Sequence, residues 1–203
     1  MKLETKRSKI RQDYATIARW IEPGARVLDF GCGDGGLLRY LAENKKTEGY
    51  GVEIDDDKVI QSVKNSVNVI QSDLETGSTL FDTNSFDFVI LSLTLQAVRH
   101  TERVVLEMLR IGRECIVTFP NFGYWQHRVQ VVLGKMPISK ELPYQWYNTP
   151  NVHLFTVHDF EKFCQGSSIH IIDKLVLDSN GAEVNLIPNL FGTLAFYRFA
   201  RKN

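Results

Sequence analysis

The sequence predicts an α/β fold: a seven-stranded, mostly parallel sheet with helices on both faces, ending in an antiparallel hairpin. Three observations carry this. Short apolar runs alternate with stretches of helical period from Arg26 to Phe119. One of these runs, Phe86 to Leu91, is almost wholly apolar, as befits a strand covered on both faces at the centre of a sheet. The first strand also passes directly into a glycine-rich turn and then a helix, half of a parallel unit in about 20 residues.

The elements follow in order. Ile10, Tyr14, Ile17 and Ile21 fall at helical spacing, Ala18 widens the stripe, and Pro23-Gly24 stops it. Arg26 to Phe30 is a strand, and Leu37, Leu38 and Leu41 form the buried face of the helix beyond the glycines. Tyr50 to Ile54 is the second strand, Asp56 to Ser66 its helix, and Asn68 to Gln71 a short third strand. Phe86 to Leu91 follows, then a helix with Val104, Val105, Met108 and Leu109 on one face, then the strand Glu114 to Phe119. Thr156 can cap a helix carrying Phe160 and Phe163. The runs Ile169 to Leu177 and Leu194 to Ala200 make the closing pair, joined by the turn-rich stretch Asp178 to Asn189.

At 203 residues one domain, 1–203, is expected. The regular alternation fails at about residues 120–155, which read as an insertion. Four of the six prolines and two of the three tryptophans lie between Pro120 and Pro150, with Glu141 the one acid against Arg128, Lys135 and Lys140. Trp125, Val129 and Val132 can form a short helical stripe ended by Gly134, and Met136 to Asn151 is loop-like. With 24 basic and 24 acidic side chains and no block of like charge, nucleic acid and anionic membranes are not expected partners. The charged N-terminus and the lack of a spanning apolar run suggest a cytoplasmic protein. Cys32, Cys115 and Cys164 form no CxxC pair and read as reduced thiols. The five histidines give no zinc spacing, so no metal is expected.

The chemistry concentrates in the loop Asp29-Phe30-Gly31-Cys32-Gly33-Asp34-Gly35. Its glycines let the backbone turn sharply beside a ligand, and the helix starting near Gly36 aims unpaired amides at the same space. Gly31, Gly33 and Gly36 also satisfy the dinucleotide pattern GxGxxG. Charge separates the two readings: Asp29 and Asp34 flank the turn, and no basic residue occurs between Val27 and Leu38. Carboxylates repel a pyrophosphate and favour a ligand carrying an ammonium and a sulfonium, as S-adenosylmethionine does. Glu53, 22 residues beyond Gly31, ends the second strand where an acid can accept ribose hydroxyls, and Asp73 with Leu74 follows the third, where an adenine edge could be read. All would face one crevice at the carboxyl edge of the sheet. Cys32, between glycines, is expected to contribute backbone only, and Asp55, Asp56 and Asp57 to be a solvated helix start.

VLDFGCGDG (27–35), GVEID (51–55), SDLE (72–75) and SFDFVILS (85–92), in this order, resemble the class I methyltransferases, and the resemblance covers nearly the whole chain. It implies a Rossmann-like fold that binds S-adenosylmethionine or S-adenosylhomocysteine through Asp29, Gly31, Cys32, Gly33, Gly35, Glu53, Ile54, Asp73, Leu74 and Ser92. No catalytic residue follows. The end of the fourth strand, Leu91-Ser92-Leu93-Thr94-Leu95-Gln96, offers no acid or histidine to act as a base. Ser92, Thr94 and Gln96 are either orienting groups for a polar acceptor or ordinary strand-end hydrogen bonders.

Tyr124, Trp125, Arg128, Tyr144, Trp146 and Tyr147 have the aromatic-plus-arginine composition of a partner or acceptor surface, or else roof the domain's own core. GYGVEID, NVIQSDLE, LTLQAV, VLEMLRIGRECIVTFPNFGYW and MPISKELPYQWYNTPNVHLFTVHDFE together resemble the MetW family of methionine-biosynthesis accessory proteins. That resemblance implies action beside a homoserine O-acyltransferase, such as a homoserine O-acetyltransferase, which the protein would bind and activate. The alternative is an active methyltransferase on a small-molecule or protein acceptor.

Overall fold

The computed structural model describes residues 13–75 and 80–202. The chain divides into two compact units, one containing the residues up to Ser92 with Glu102–Ile116, the other Leu93–Thr101 with the residues from Val117 onward.

In the first unit the opening helix α1 is seen over 13–18. Ile17, Ala18 and Ile21 are buried, as their spacing predicts, and Ile10 lies outside the described residues. Strand β1 (Arg26–Phe30) leads through the glycine loop into α2 (Gly36–Lys45), which buries Leu37, Leu38 and Leu41. Strand β2 (Glu48–Glu53) starts two residues before the sequence signal, because its first residues pair with Arg26 and Val27 of β1. Helix α3 (Asp56–Lys64) is capped by Asp55, which accepts from the Lys58 amide at 3.1 Å. Asp56 and Asp57 in its first turn and Lys64 in its last complement the helix dipole. Strand β3 (Asn68–Gln71) pairs in parallel with β2, and β4 (Phe86–Ser92) in parallel with β1. Helix α4 (Thr101–Ile111) buries the predicted face of Val104, Val105, Met108 and Leu109.

Strand β5 (Gly112–Pro120) has its first half in one unit and its second in the other. In the second unit, a 3-10 turn at Leu95–Ala97 and a short helix α7 (Pro188–Phe191) have no periodic signal in the sequence. Between them lie α5 (Trp125–Val132) and α6 (Val157–Gly166). Thr156 caps α6 in a reciprocal box, its hydroxyl taking the Asp159 amide while Asp159 takes the Thr156 amide. Strands β6 (Ile169–Leu177) and β7 (Leu194–Arg201) form the antiparallel pair, with a register irregularity between Ile171 and Asp173. The core of this unit is aromatic. The Phe119 ring stacks on Tyr197 at 5.8 Å and meets Phe155 at 4.6 Å and Phe160 at 5.2 Å.

The strand order is β3-β2-β1-β4-β5-β7-β6, with β4 central. Successive strands step outward from β1 through β2 to β3, and the chain then returns to β4 on the other side of β1. That reversal is the switch point where open α/β sheets bind ligands, and the glycine loop stands at its edge.

Candidate functional site

The site is built at the carboxyl ends of β1, β2 and β3, all in the first unit. Gly31, Gly33 and Gly35 each have positive φ (72°, 59° and 74°). At Gly35 a side chain would also collide with Val67, whose Cγ2 lies 2.9 Å from where a Cβ would stand. The amides of Gly31 and Cys32 donate to the Val52 carbonyl at 2.8 and 3.1 Å, which fastens the start of the loop to β2.

Asp29 is 2% exposed, and its Oδ1 is buried without a hydrogen-bond partner among the described residues. Burial, reinforced by the nearby Glu53 charge, pushes its carboxyl up to about 8. Glu53 is also buried, but its oxygens are engaged: Oε2 accepts from the Gly33 amide at 2.9 Å, and Oε1 from the Ile54 and Asp55 amides at 2.9 and 3.0 Å. Of the four acceptor positions of a carboxylate, three are used by the backbone. Glu53 therefore shapes the loop, a role its position at a strand end does not reveal.

Asp34 is exposed and its Oδ1 accepts from the Gly36 amide at 3.0 Å. The same carboxylate thus takes an otherwise unpaired amide at the start of α2. Asp73, half-buried, accepts from the Glu75 amide through Oδ1 at 2.8 Å. Leu74 and Ser92 are half-buried, and Ile54 is 62% exposed beside Glu53. The Cys32 thiol is pushed up to about 12, first by burial and then by Asp29, so it stays protonated and unreactive near neutral pH.

Three residues absent from the predicted set reach this loop, and two of them bond it. Ser62 of α3 is fully buried and donates to the Gly33 carbonyl at 2.9 Å, and Asn65 donates to the Asp34 carbonyl at 2.8 Å. Tyr14, read from the sequence as part of an apolar stripe, brings its hydroxyl 2.9 Å from where a Gly36 Cβ would stand. Burial, then Asp34, Asp29 and Asp13, push that hydroxyl up to about 12. A tyrosine on the edge of a helical stripe, with its polar end free to reach the loop, was the available signal.

In the second unit, Leu93 has φ 53°, and its amide donates to the Thr118 carbonyl and hydroxyl, each at 3.0 Å. Gln96 is buried: its Nε2 donates to the Leu93 carbonyl at 2.7 Å, and its own carbonyl accepts from the Val152 and His153 amides at 2.9 and 3.0 Å. Those two amides meet its backbone carbonyl, and the side-chain Oε1 is buried with no hydrogen-bond partner among the described residues.

The aromatic segment has buried and exposed members. Tyr124 is buried, and Arg128 donates from Nε to the Gly123 carbonyl at 2.6 Å and from a terminal nitrogen to the Asn189 carbonyl at 3.4 Å. Trp125 and Tyr144 are exposed, and Trp146 and Tyr147 stand 72% and 70% exposed with their rings edge to face. Buried His127 lies against Phe122 and Tyr124, and desolvation lowers its pKa.

The segment is closed by Asn121, fully buried and missed by the sequence reading. Its Nδ2 donates to the Asn189 and Gly192 carbonyls at 3.2 and 2.8 Å, and its Oδ1 accepts from the Gly123 and Val157 amides at 3.0 and 3.2 Å. Among the described residues no cluster of histidine, cysteine and acids is arranged to hold a metal ion, and no helix is long and apolar enough to cross a membrane.

A glycine turn with acids at the switch point of this sheet defines the class I methyltransferase fold, and solved structures share it at low identity. A SAM-dependent methyltransferase of Thermotoga maritima matches with TM-score 0.67 at 18% identity, covering 100% of this chain and 96% of its own. An N-methyltransferase of Haemonchus contortus, solved with phosphomonomethylethanolamine and S-adenosylhomocysteine, matches with TM-score 0.67 at 15% identity over 95% of this chain and 53% of its own. The [4+2]-cyclase SpnF matches with TM-score 0.68 at 15% identity over 93% and 80%.

Within that class, the family model of methionine biosynthesis protein MetW matches residues 11–199, and the chain belongs to the MetW family. The bifunctional methionine biosynthesis protein MetXA/MetW of Rhodopirellula baltica is 34% identical over 204 residues, which span 94% of this chain and 33% of that protein. The chain thus corresponds to about a third of that relative's length.

Proposed function

We propose that this protein is an accessory, activating subunit of a homoserine O-acyltransferase in methionine biosynthesis, and that its glycine-loop site holds S-adenosylmethionine or S-adenosylhomocysteine. The observation that carries the partner is the fused relative, in which one chain named MetXA/MetW includes a counterpart of nearly all of this sequence. Fusion holds two parts at high effective concentration, an arrangement that suits parts working together.

The donor set suits the ligand. The unpaired, buried Oδ1 of Asp29 matches an ammonium, Glu53 keeps one acceptor position for a ribose hydroxyl, and exposed Ile54 offers an apolar surface to an adenine face. When bound, S-adenosylmethionine supplies an electrophilic methyl group. What this chain contributes is binding and charge: Asp34 lowers the potential around the cationic end, a bound ammonium favours the ionised form of Asp29, and Ser62 and Asn65 hold the loop in its turn. Sharing a fold with methyltransferases does not by itself assign methyl transfer.

The test is the rate of acyl transfer to homoserine by the acyltransferase of the same cell, with and without this chain and with S-adenosylmethionine varied, alongside calorimetry of the ligand on the chain alone. Activation together with ligand binding is expected. No complex and no rate change would overturn the subunit role. The second reading, methyl transfer to a small-molecule or protein acceptor, is favoured by the methyltransferase neighbours. It predicts labelled methyl incorporation in cell extract that Asp29→Asn abolishes.

A further inference from the structure

Helix α5 is amphipathic in the inverted sense. Trp125, Val129 and Val132 recur at helical spacing, with Leu133 and Met136 continuing the row, and these apolar side chains face outward, Val132 being 86% exposed. The residue of α5 turned into the protein is polar. His127 is buried against Phe122 and Tyr124, and Arg128 is tied to the Gly123 and Asn189 carbonyls.

The row is also held still. The Gln130 side chain clamps Ile138 from both ends, donating to its carbonyl at 3.1 Å and accepting its amide at 2.8 Å. The Gly134 and Lys135 amides close the helix end onto the Val131 and Gln130 carbonyls at 2.9 Å each. Beyond Met136 a hollow of about 40 Å³ is lined by Met136, Pro137, Leu142, Tyr144, Trp146 and Leu154, room for the tip of one aliphatic side chain.

We infer that this face, centred on Val129, Val132, Leu133 and Met136, is where the acyltransferase docks. The inference rests on the subunit reading proposed above and names the surface that reading requires. A contiguous apolar surface held rigid by side-chain hydrogen bonds is what a stable partner covers at little cost in ordering. The occupant follows from the relative in which this sequence is joined to a MetXA portion in one chain. Its chemistry follows from charge: the stretch that carries the strip holds exposed Arg128, Lys135 and Lys140 against Glu141 alone, so the partner offers an apolar centre rimmed by acids, with an aliphatic anchor for the hollow.

The test uses the full chain and the acyltransferase of the same cell. Val132→Glu with Leu133→Glu puts two charges at exposed positions that no core packing depends on. It is expected to weaken the complex at least about thirtyfold, the loss of central anchors, while the melting temperature and S-adenosylmethionine affinity stay at wild-type values. Ile60→Glu with Val63→Glu, at exposed apolar positions of α3, is expected to leave the complex intact. Wild-type affinity in the Val132/Leu133 variant overturns the surface and leaves the subunit reading standing. Failure of the wild-type chain to bind at all overturns both. Self-association in sedimentation velocity that the variant abolishes, with no complex with the acyltransferase, assigns the face to a second copy and likewise overturns the inference.

Discussion

Replacing Asp29 with asparagine changes how the stability of the ligand-free protein depends on pH. The wild-type carboxyl holds its proton up to about pH 8 in the fold, first because it is buried and then because Glu53 is near, and it ionises near 3.8 when unfolded. The folded pKa lies above the unfolded one, so the folded state keeps a proton that the unfolded state releases between those values. The stabilisation linked to that proton is full below about pH 4 and declines by about 1.4 kcal/mol per pH unit until it levels off above pH 8. Between pH 6 and pH 8 the wild type therefore loses about 2 kcal/mol that Asp29→Asn retains, or about 4–8 °C in melting temperature for a chain of this size. Thermal melts of both proteins at pH 6, 7 and 8 read the difference directly, because the other titrating groups are common to both. Melting curves that keep a constant separation across that range would refute the buried, protonated state of Asp29.

Two further predictions concern packing. A Cβ at Gly51 would stand 2.3 Å from the Cys32 Sγ, so Gly51→Ala is expected to cost about 1–3 kcal/mol in urea unfolding. Combining it with Cys32→Ala should return at least about 1 kcal/mol, and strict additivity would show that the contact is not the cause. Asn121→Ala leaves the Gly123 and Val157 amides and the Gly192 carbonyl without their side-chain partner, and is expected to cost about 3 kcal/mol or more by the same measurement. A loss below about 1 kcal/mol would mean that water replaces these bonds.

The regular part of the fold was legible because its signals are local. β1 and β3 have the bounds the sequence indicates, and Leu37, Leu38 and Leu41 face the core, since alternation and helical period are set by the pattern of neighbouring residues. In the glycine loop, charge and spacing pointed to a cation-compatible turn. They did not reveal that Glu53 bonds the Gly33 amide, or that Ser62 and Asn65 reach across from α3, because those bonds join residues 20 to 31 positions apart. Tyr14 was hidden by its helical spacing. The stripe Trp125, Val129 and Val132 predicts the helix that forms, but periodicity does not say which face is turned inward; buried His127 marks that face. Asn121 carries no sequence signal, since its four partners lie at Gly123, Val157, Asn189 and Gly192.

The position of Asn121 bears on how this family could diversify. One side-chain oxygen receives the amides of both Gly123 and Val157, and the Phe122 amide meets the Phe155 carbonyl at 3.1 Å, so the excursion between them starts and ends at one stitched neck, with a second tie from Val152 and His153 to the Gln96 carbonyl. Closing a loop costs only slightly more as it lengthens. Between the two ties, lengthening the excursion therefore costs little entropy, and its entry and exit stay fixed by one amide side chain while its tip changes.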